Sequence, residues 1–111
     1  MTIFLKYMMK VIMILMNEMS ESQKEILLIT QEECAEVTQA ISKVFRFGTT
    51  DKYKGLTNRE HLEEEVGDLM CMIDLLIDNG IVRESAVMTA KNEKLNKLLT
   101  WSNIFKDETI A

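Results

Sequence analysis

The stretch LEEEVGDLM, residues 62–70, decides the fold, because it places acidic residues within a pattern of helical periodicity. One side of the predicted helix, read in steps of three or four, consists of Leu62, Glu65, Leu69, Met72 and Leu76. Asp68 follows Glu65 by three residues, so the two carboxylates lie on the same side. We therefore predict a helix whose inward face carries an acidic pair.

A second acidic pair, Glu33 and Glu36, lies in the upstream stretch EECAE, residues 32–36. It interrupts another stripe of helical spacing, which consists of Ile29, Glu33, Glu36, Ala40 and Val44. Two carboxylates about 4 Å apart repel by ~4 kcal/mol at an effective dielectric constant of about 20, so inward-facing pairs need protons or a cation. Oxygen donors without a histidine or thiolate cluster favour a hard cation, Mg²⁺ first and Mn²⁺ second. The alternative is that both pairs lie on solvated edges of their helices.

The composition predicts an all-α fold. The chain of 111 residues contains no proline and four glycines, the two residue types that interrupt helices. We predict one domain, an antiparallel bundle of about four helices completed by oligomerisation, because a chain of this length builds only a modest core. The net charge of −5 argues against a nucleic-acid partner.

Capping signals and helix breakers set the predicted boundaries. Ser20 with Gln23 has the pattern of a capping box. The start of the second long helix has two alternative capping pairs, Thr57 with Glu60 and Asn58 with His61. The predicted elements are helices over 21–44, 58–77 and 83–99, a loop over 46–56, and a turn or short helix that begins the fraying tail 101–111. Gly67 costs about 1 kcal/mol inside its helix, which close backbone packing or simple tolerance would explain.

Residues 1–18 form an apolar N-terminal segment before the predicted helical domain, residues 19–111. Lys6 and Lys10 interrupt this segment, and its longest apolar run, residues 11–16, is too short for a signal-peptide core or a membrane span. We therefore expect no membrane partner. The segment is either an extra amphipathic helix that packs on the domain or a partner subunit, or a dispensable extension upstream of a start at Met19.

Two cysteines, Cys34 and Cys71, make neither a disulfide framework nor a zinc site, and the single histidine, His61, adds no ligand spacing. This cysteine usage is typical of a reducing compartment, so we expect a cytoplasmic protein. Cys34 lies inside the first acidic motif, where we expect a small buried thiol rather than a reactive one.

At its acidic motifs the chain resembles the MazG-like, all-α nucleoside triphosphate pyrophosphohydrolases. The family pattern EExxE followed by ExxD is matched by residues 32–36 and 65–68, and residues 64–70 are similar to the family's EExGDLL stretch. Downstream, NEKLNKL, residues 92–98, is similar to a family segment with Asn-Glu-Lys and a further basic residue. The resemblance extends over about residues 20–99.

The resemblance implies Mg²⁺-dependent hydrolysis of (deoxy)nucleoside triphosphates to monophosphate and pyrophosphate, by a homodimer or homotetramer. The metal ligands it implies are Glu33, Glu36, Glu65 and Asp68. Glu36 or Glu32 is our candidate for the catalytic base, since spacing alone does not separate a ligand from a base. The candidate substrate-binding residues are Asn92, Lys94, Lys97 and Arg46.

Other interpretations of the sequence remain open. Lys94 and Lys97 can instead form a solvated basic face. The aromatic residues Phe45, Phe47, Tyr53 and Trp101 can stack on a nucleobase, or belong to the core or a subunit interface. A non-catalytic helical interaction module with an acidic surface is the alternative function, and it predicts no dependence on metal ions.

Overall fold

A computed structural model describes residues 2–15 and 18–106. The elements in chain order are α1 (Ile3–Leu15), α2 (Glu21–Phe47), β1 (Lys52–Tyr53), β2 (Leu56–Thr57), α3 (Asn58–Asp78) and α4 (Glu84–Trp101). The all-α fold class is confirmed, because the antiparallel pair of two-residue strands is the one sheet among these elements. A turn over residues 104–106 follows α4 as predicted, whereas the predicted fraying at 107–111 lies outside the described residues.

The chain divides into two compact units, Met1–Ile73 and Asp74–Ala111. The first contains α1, α2, the hairpin and most of α3. The second contains the end of α3 and all of α4.

Helix α1 lies outside the resemblance to the family. Its side chains Ile3, Phe4 and Tyr7 are exposed in the single chain. The packing of this helix on the domain or on a partner subunit stays a prediction. A start at Met19 stays the second interpretation. Among the helices of residues 2–15 and 18–106, none has both the length and the hydropathy that a membrane span requires.

Helix α2 begins at the predicted capping box. Ser20 Oγ accepts a hydrogen bond from Gln23 N at 3.1 Å, and Gln23 Oε1 accepts one from Ser20 N at 3.0 Å. The helix ends at Phe47, three residues beyond the predicted end, because Gly48 is the first residue that takes a positive φ, of 82°. Gly48 N still donates to Val44 O at 2.9 Å, which satisfies one of the terminal carbonyls.

The connection after α2 contains a hairpin where a loop over 46–56 is predicted, so that prediction is wrong in its detail. Lys54 and Gly55 have φ values of 51° and 83°, and two consecutive positive φ angles make the tight turn that joins antiparallel strands. Thr57 then caps α3, since its Oγ1 accepts from Glu60 N at 3.1 Å and its N donates to Glu60 Oε1 at 3.2 Å. Of the two predicted capping pairs, the structure shows this one.

The two predicted apolar stripes lie on the inward sides of α2 and α3. Ala40 on α2 is 5% exposed and Met72 on α3 is 7% exposed. Half-buried positions of the same stripes are Ile29, Val44, Leu62 and Leu69. The helical periodicity therefore identifies the correct faces.

In the second unit, α3 ends at the predicted breaker. Asn79 N donates to Leu75 O at 3.0 Å, Ile81 N donates to Leu76 O at 2.9 Å, and Gly80 has φ +68°. Helix α4 begins one residue and ends two residues later than predicted. No residue of α4 is buried; Leu95 is 49% exposed and Leu98 is half-buried.

Candidate metal centre

Two helices carry the four predicted carboxylates. Glu33 and Glu36 lie one turn apart on α2, and Glu65 and Asp68 lie one turn apart on α3. One carboxylate oxygen from each of the four residues lies within 4.8 Å of the others. The structure thus brings together the complete set of predicted ligands, which we call the carboxylate cluster.

Burial differs between the two members of each pair. Glu33 and Glu65 are half-buried, whereas Glu36 and Asp68 are exposed, so the predicted inward orientation applies to one residue of each pair. Glu33 Oε2 and Glu65 Oε2 are buried and have no hydrogen-bond partner among the described residues. A buried carboxylate oxygen without a donor is costly, so these two oxygens point to a missing positive group.

The electrostatics of the cluster favour bound protons when no cation is present. A hydrogen bond with Glu36 raises the pKa of Glu65 to about 7, with burial and the charges of Glu36, Asp68 and Glu33 adding to the effect. Burial, followed by the charges of Glu36, Asp68 and Glu32, raises the pKa of Glu33. Protonation of Glu65 near neutral pH therefore reduces the repulsion within the cluster.

The donor set of the carboxylate cluster fits a divalent cation. All four donors are carboxylate oxygens, the ligands that Mg²⁺ and Mn²⁺ prefer. The two buried, unpaired oxygens, one on each helix, would both be satisfied by a cation between α2 and α3.

A cavity of about 220 Å³ lies beside the cluster and is lined by Glu36, Gln39, Ala40, Lys43, His61 and Glu65. Glu36 lies near Glu65, and Gly48 O after the end of α2 accepts from Asn58 Nδ2 at the start of α3, so the two helices run antiparallel, as predicted. Lys43 is a cation that the sequence analysis missed. The sequence could have identified Lys43 by its separation of seven residues from Glu36, which is two helical turns along the same face.

The connection between the helices is fixed by hydrogen bonds to the first turn of α3. Asn58 N donates to Asp51 O at 2.9 Å, and Arg59 N donates to Thr49 O at 3.1 Å. His61 Nε2 donates to Tyr53 O at 2.7 Å. Amide groups at a helix start have no partner within the helix, and here the preceding chain accepts from two of them.

The other predicted site residues lie outside the cluster. Glu32 is exposed on α2, and its charge contributes to the raised pKa of Glu33. Arg46 is exposed, with its Cζ atom 5.0 Å from the centre of the Phe47 ring, and it does not line the 220 Å³ cavity. Three further candidates are exposed on α4 in the second unit, namely Asn92, Lys94 and Lys97. The roles of all these residues stay predictions.

One expectation near the cluster is wrong, and one open alternative is decided. Cys34 is exposed rather than buried, because it follows Glu33 by one residue and so lies about 100° around the helix from the inward face. Close backbone packing does not explain Gly67, since among the described residues no atom would lie within 4 Å of a Cβ added there. Simple tolerance of this glycine is the explanation that remains.

Comparison with known protein families gives a match to the region that carries the carboxylate cluster. Residues 21–97 match the family model of the MazG nucleotide pyrophosphohydrolase domain. The match covers α2, the hairpin, α3 and most of α4, and therefore includes the whole carboxylate cluster. No curated protein and no solved structure shows a significant match to the chain.

Proposed function

The chain belongs to the MazG nucleotide pyrophosphohydrolase family, and from this premise we propose that it hydrolyses (deoxy)nucleoside triphosphates to monophosphate and pyrophosphate with the help of Mg²⁺. The observation that carries the proposal is the meeting of four carboxylate oxygens within 4.8 Å, two of which belong to residues with a buried, unpaired oxygen. The role of the protein would be to clear or recycle non-standard or surplus nucleotides in the cytoplasm.

Glu33, Glu36, Glu65 and Asp68 would hold the cation, with Mn²⁺ as a possible substitute. Such a cation supplies charge neutralisation at the phosphate oxygens and acidifies a water molecule. Because all four residues are acidic, a triphosphate could not approach them closely without that neutralisation.

The chain's own residues would then move the proton of the attacking water. As the water oxygen bonds to phosphorus, the bridging P–O bond between the α and β phosphates breaks and a carboxylate accepts the proton. Glu36 is the first candidate, because it is exposed and lines the cavity together with Glu65. Glu32 is the second.

Basic side chains would bind the phosphates. Lys43 lines the cavity beside Glu36 and Glu65, so its ammonium group is the cation best placed for this task in the first unit. Lys94 and Lys97 are three residues apart and share one side of α4, with Asn92 nearby. By their similarity to the family segment, we propose them and Arg46 as further phosphate contacts.

We also propose a homodimer or homotetramer as the working form. Large apolar side chains remain exposed on the helices that carry the cluster, for example Leu28 on α2 at 62% and Met70 on α3 at 61%. Contiguous exposed apolar surface is typical of subunit interfaces. Light scattering after size-exclusion chromatography measures the assembly directly.

The test of the activity is a panel of ribo- and deoxynucleoside triphosphates incubated with Mg²⁺ and scored for monophosphate plus pyrophosphate. Glu36→Gln and Asp68→Asn should each abolish the reaction, whereas Asp74→Asn, an exposed change on the same helix as Asp68, should not. Activity that survives both cluster variants, or absence of product from every nucleotide, would overturn the proposal. A melting temperature unaffected by Mg²⁺ would favour the non-catalytic interaction module.

A further inference from the structure

A second cavity, of about 350 Å³, lies between the end of α2 and the hairpin. Its lining consists of Lys43, Phe47, Asp51, Lys52, Tyr53 and Asn58. Two aromatic rings and a few polar groups around a volume of this size are typical of a site for a small organic molecule. We call it the hairpin cavity. Nothing in the carboxylate chemistry requires it.

Asn58 is the polar group that marks the hairpin cavity as a binding site. The residue is only 3% exposed, and its Nδ2 donates one hydrogen bond, to Gly48 O at 2.9 Å. Within the described part of the chain, its Oδ1 and its second Nδ2 hydrogen have no partner. Among the described residues, the buried side-chain atoms without a partner belong to Glu33 and Glu65, so the free groups of Asn58 are reached by solvent. A ligand with a donor beside an acceptor would replace that solvent. The edges of nucleobases present such patterns.

Lys43 connects the hairpin cavity with the carboxylate cluster. It lines this cavity and also the smaller cavity that contains Glu36 and Glu65. Its Nζ lies 4.6 Å from the centre of the Tyr53 ring. The Lys43 side chain therefore lines both the cavity with the aromatic rings and the cavity with two of the proposed metal ligands.

The order of aromatic rings, lysine and carboxylates matches the order of base, first phosphate and outer phosphates along a nucleotide. We propose that the hairpin cavity binds the nucleoside part of the substrate, with the base against the rings of Tyr53 and Phe47 and hydrogen-bonded by Asn58. Lys43 then pairs with the phosphate next to the sugar, and the remaining phosphates extend to the cluster. The proposal rests on the pyrophosphohydrolase function, and it assigns the position of the nucleoside part of that substrate in the fold.

Among the four aromatic residues that the sequence offers as stacking candidates, the proposal selects two. Phe47 and Tyr53 line the cavity, whereas Phe45 is 86% exposed and lines neither cavity. Phe45 therefore serves as a matched aromatic control on the same helix as Phe47.

The test compares the binding of two kinds of probe to the full chain in Mg²⁺ by calorimetry. The probes are the four deoxynucleoside α,β-methylene triphosphates and inorganic tripolyphosphate. Removing a stacking ring should weaken nucleotide binding by about 5- to 100-fold, so Tyr53→Ala should do this for the analogues and leave tripolyphosphate affinity within about twofold. Tyr53→Phe keeps the ring and should recover most of the loss, and Phe45→Ala should change neither affinity.

Two outcomes separate this proposal from the function on which it rests. If the wild-type chain binds analogues no more tightly than tripolyphosphate, or if Tyr53→Ala weakens both probes equally, the hairpin cavity is not the nucleoside site, whatever the activity. If the analogues bind through Tyr53 but no triphosphate yields pyrophosphate, the cavity assignment stands and the hydrolase function fails. Melting curves of Tyr53→Ala check that the variant is folded.

Discussion

Mg²⁺ binding should be coupled to proton release, because a proton occupies part of the site in the metal-free protein. The hydrogen bond with Glu36 raises the pKa of Glu65 to about 7, and a carboxylate binds the cation only when it has lost its proton. Lowering the pH below 7 should therefore weaken Mg²⁺ binding.

The magnitude follows from the pKa. With a pKa of about 7, Glu65 is roughly 90% protonated at pH 6 and roughly 10% protonated at pH 8. The apparent dissociation constant should therefore be about tenfold higher at pH 6 than at pH 8, with about one proton released per cation at pH 6 and almost none at pH 8.

Calorimetric titration with MgCl₂ in two buffers of different ionisation enthalpy measures both quantities. Glu65→Gln removes the titrating group, so its weaker binding should not change with pH in this range. Asp74→Asn, on the same helix, should retain the wild-type pH dependence. An affinity independent of pH, with no proton released at pH 6, would refute the raised pKa of Glu65.

Three further predictions concern stability. Without metal, the melting temperature should fall as the pH rises from about 4.5 to 7, because folded Glu65 keeps a proton that the unfolded chain has lost, and a rise would contradict the raised pKa. In urea unfolding, Gly48→Ala should cost about 1–3 kcal/mol, because Gly48 has φ 82° and ψ 169°. Gly67→Ala should gain about 1 kcal/mol, because open space surrounds that helical position, and equal effects of the two changes would refute this account. Thr57→Ala should lose about 1 kcal/mol with the cap of α3, whereas Thr38→Ala, whose hydroxyl donates to Cys34 O within α2, should lose little.

The features that depend on local spacing were predictable from the sequence. Helical periodicity placed Ala40 and Met72 on buried faces, and the separation of three residues placed the carboxylates of each pair together. Both properties depend on the geometry of a single helix and on the need to bury its apolar side. The antiparallel return of α3 then brought the two pairs together.

The features that depend on contacts between elements were not predictable in the same way. His61 becomes a neighbour of the cluster only through the alignment of α2 with α3, and it has no motif of its own. The hairpin was missed because strands of two residues are too short to show alternation, and Lys54 is not a residue type that usually takes a positive φ. Lys43 and Cys34 differ from these cases, because their positions relative to Glu36 and Glu33 follow from the geometry of α2 alone.

The hairpin is attached to α3 through main-chain groups, and this attachment has a consequence for redesign. Asp51 O accepts from Asn58 N and Tyr53 O accepts from His61, so the side chains of residues 51–53 do not themselves make these anchoring bonds. Substitutions there can alter the wall of the hairpin cavity while the backbone path and the four carboxylates stay in place. Under the proposed nucleoside site, directed evolution confined to these few codons should change the nucleotide preference while the carboxylate cluster stays unchanged.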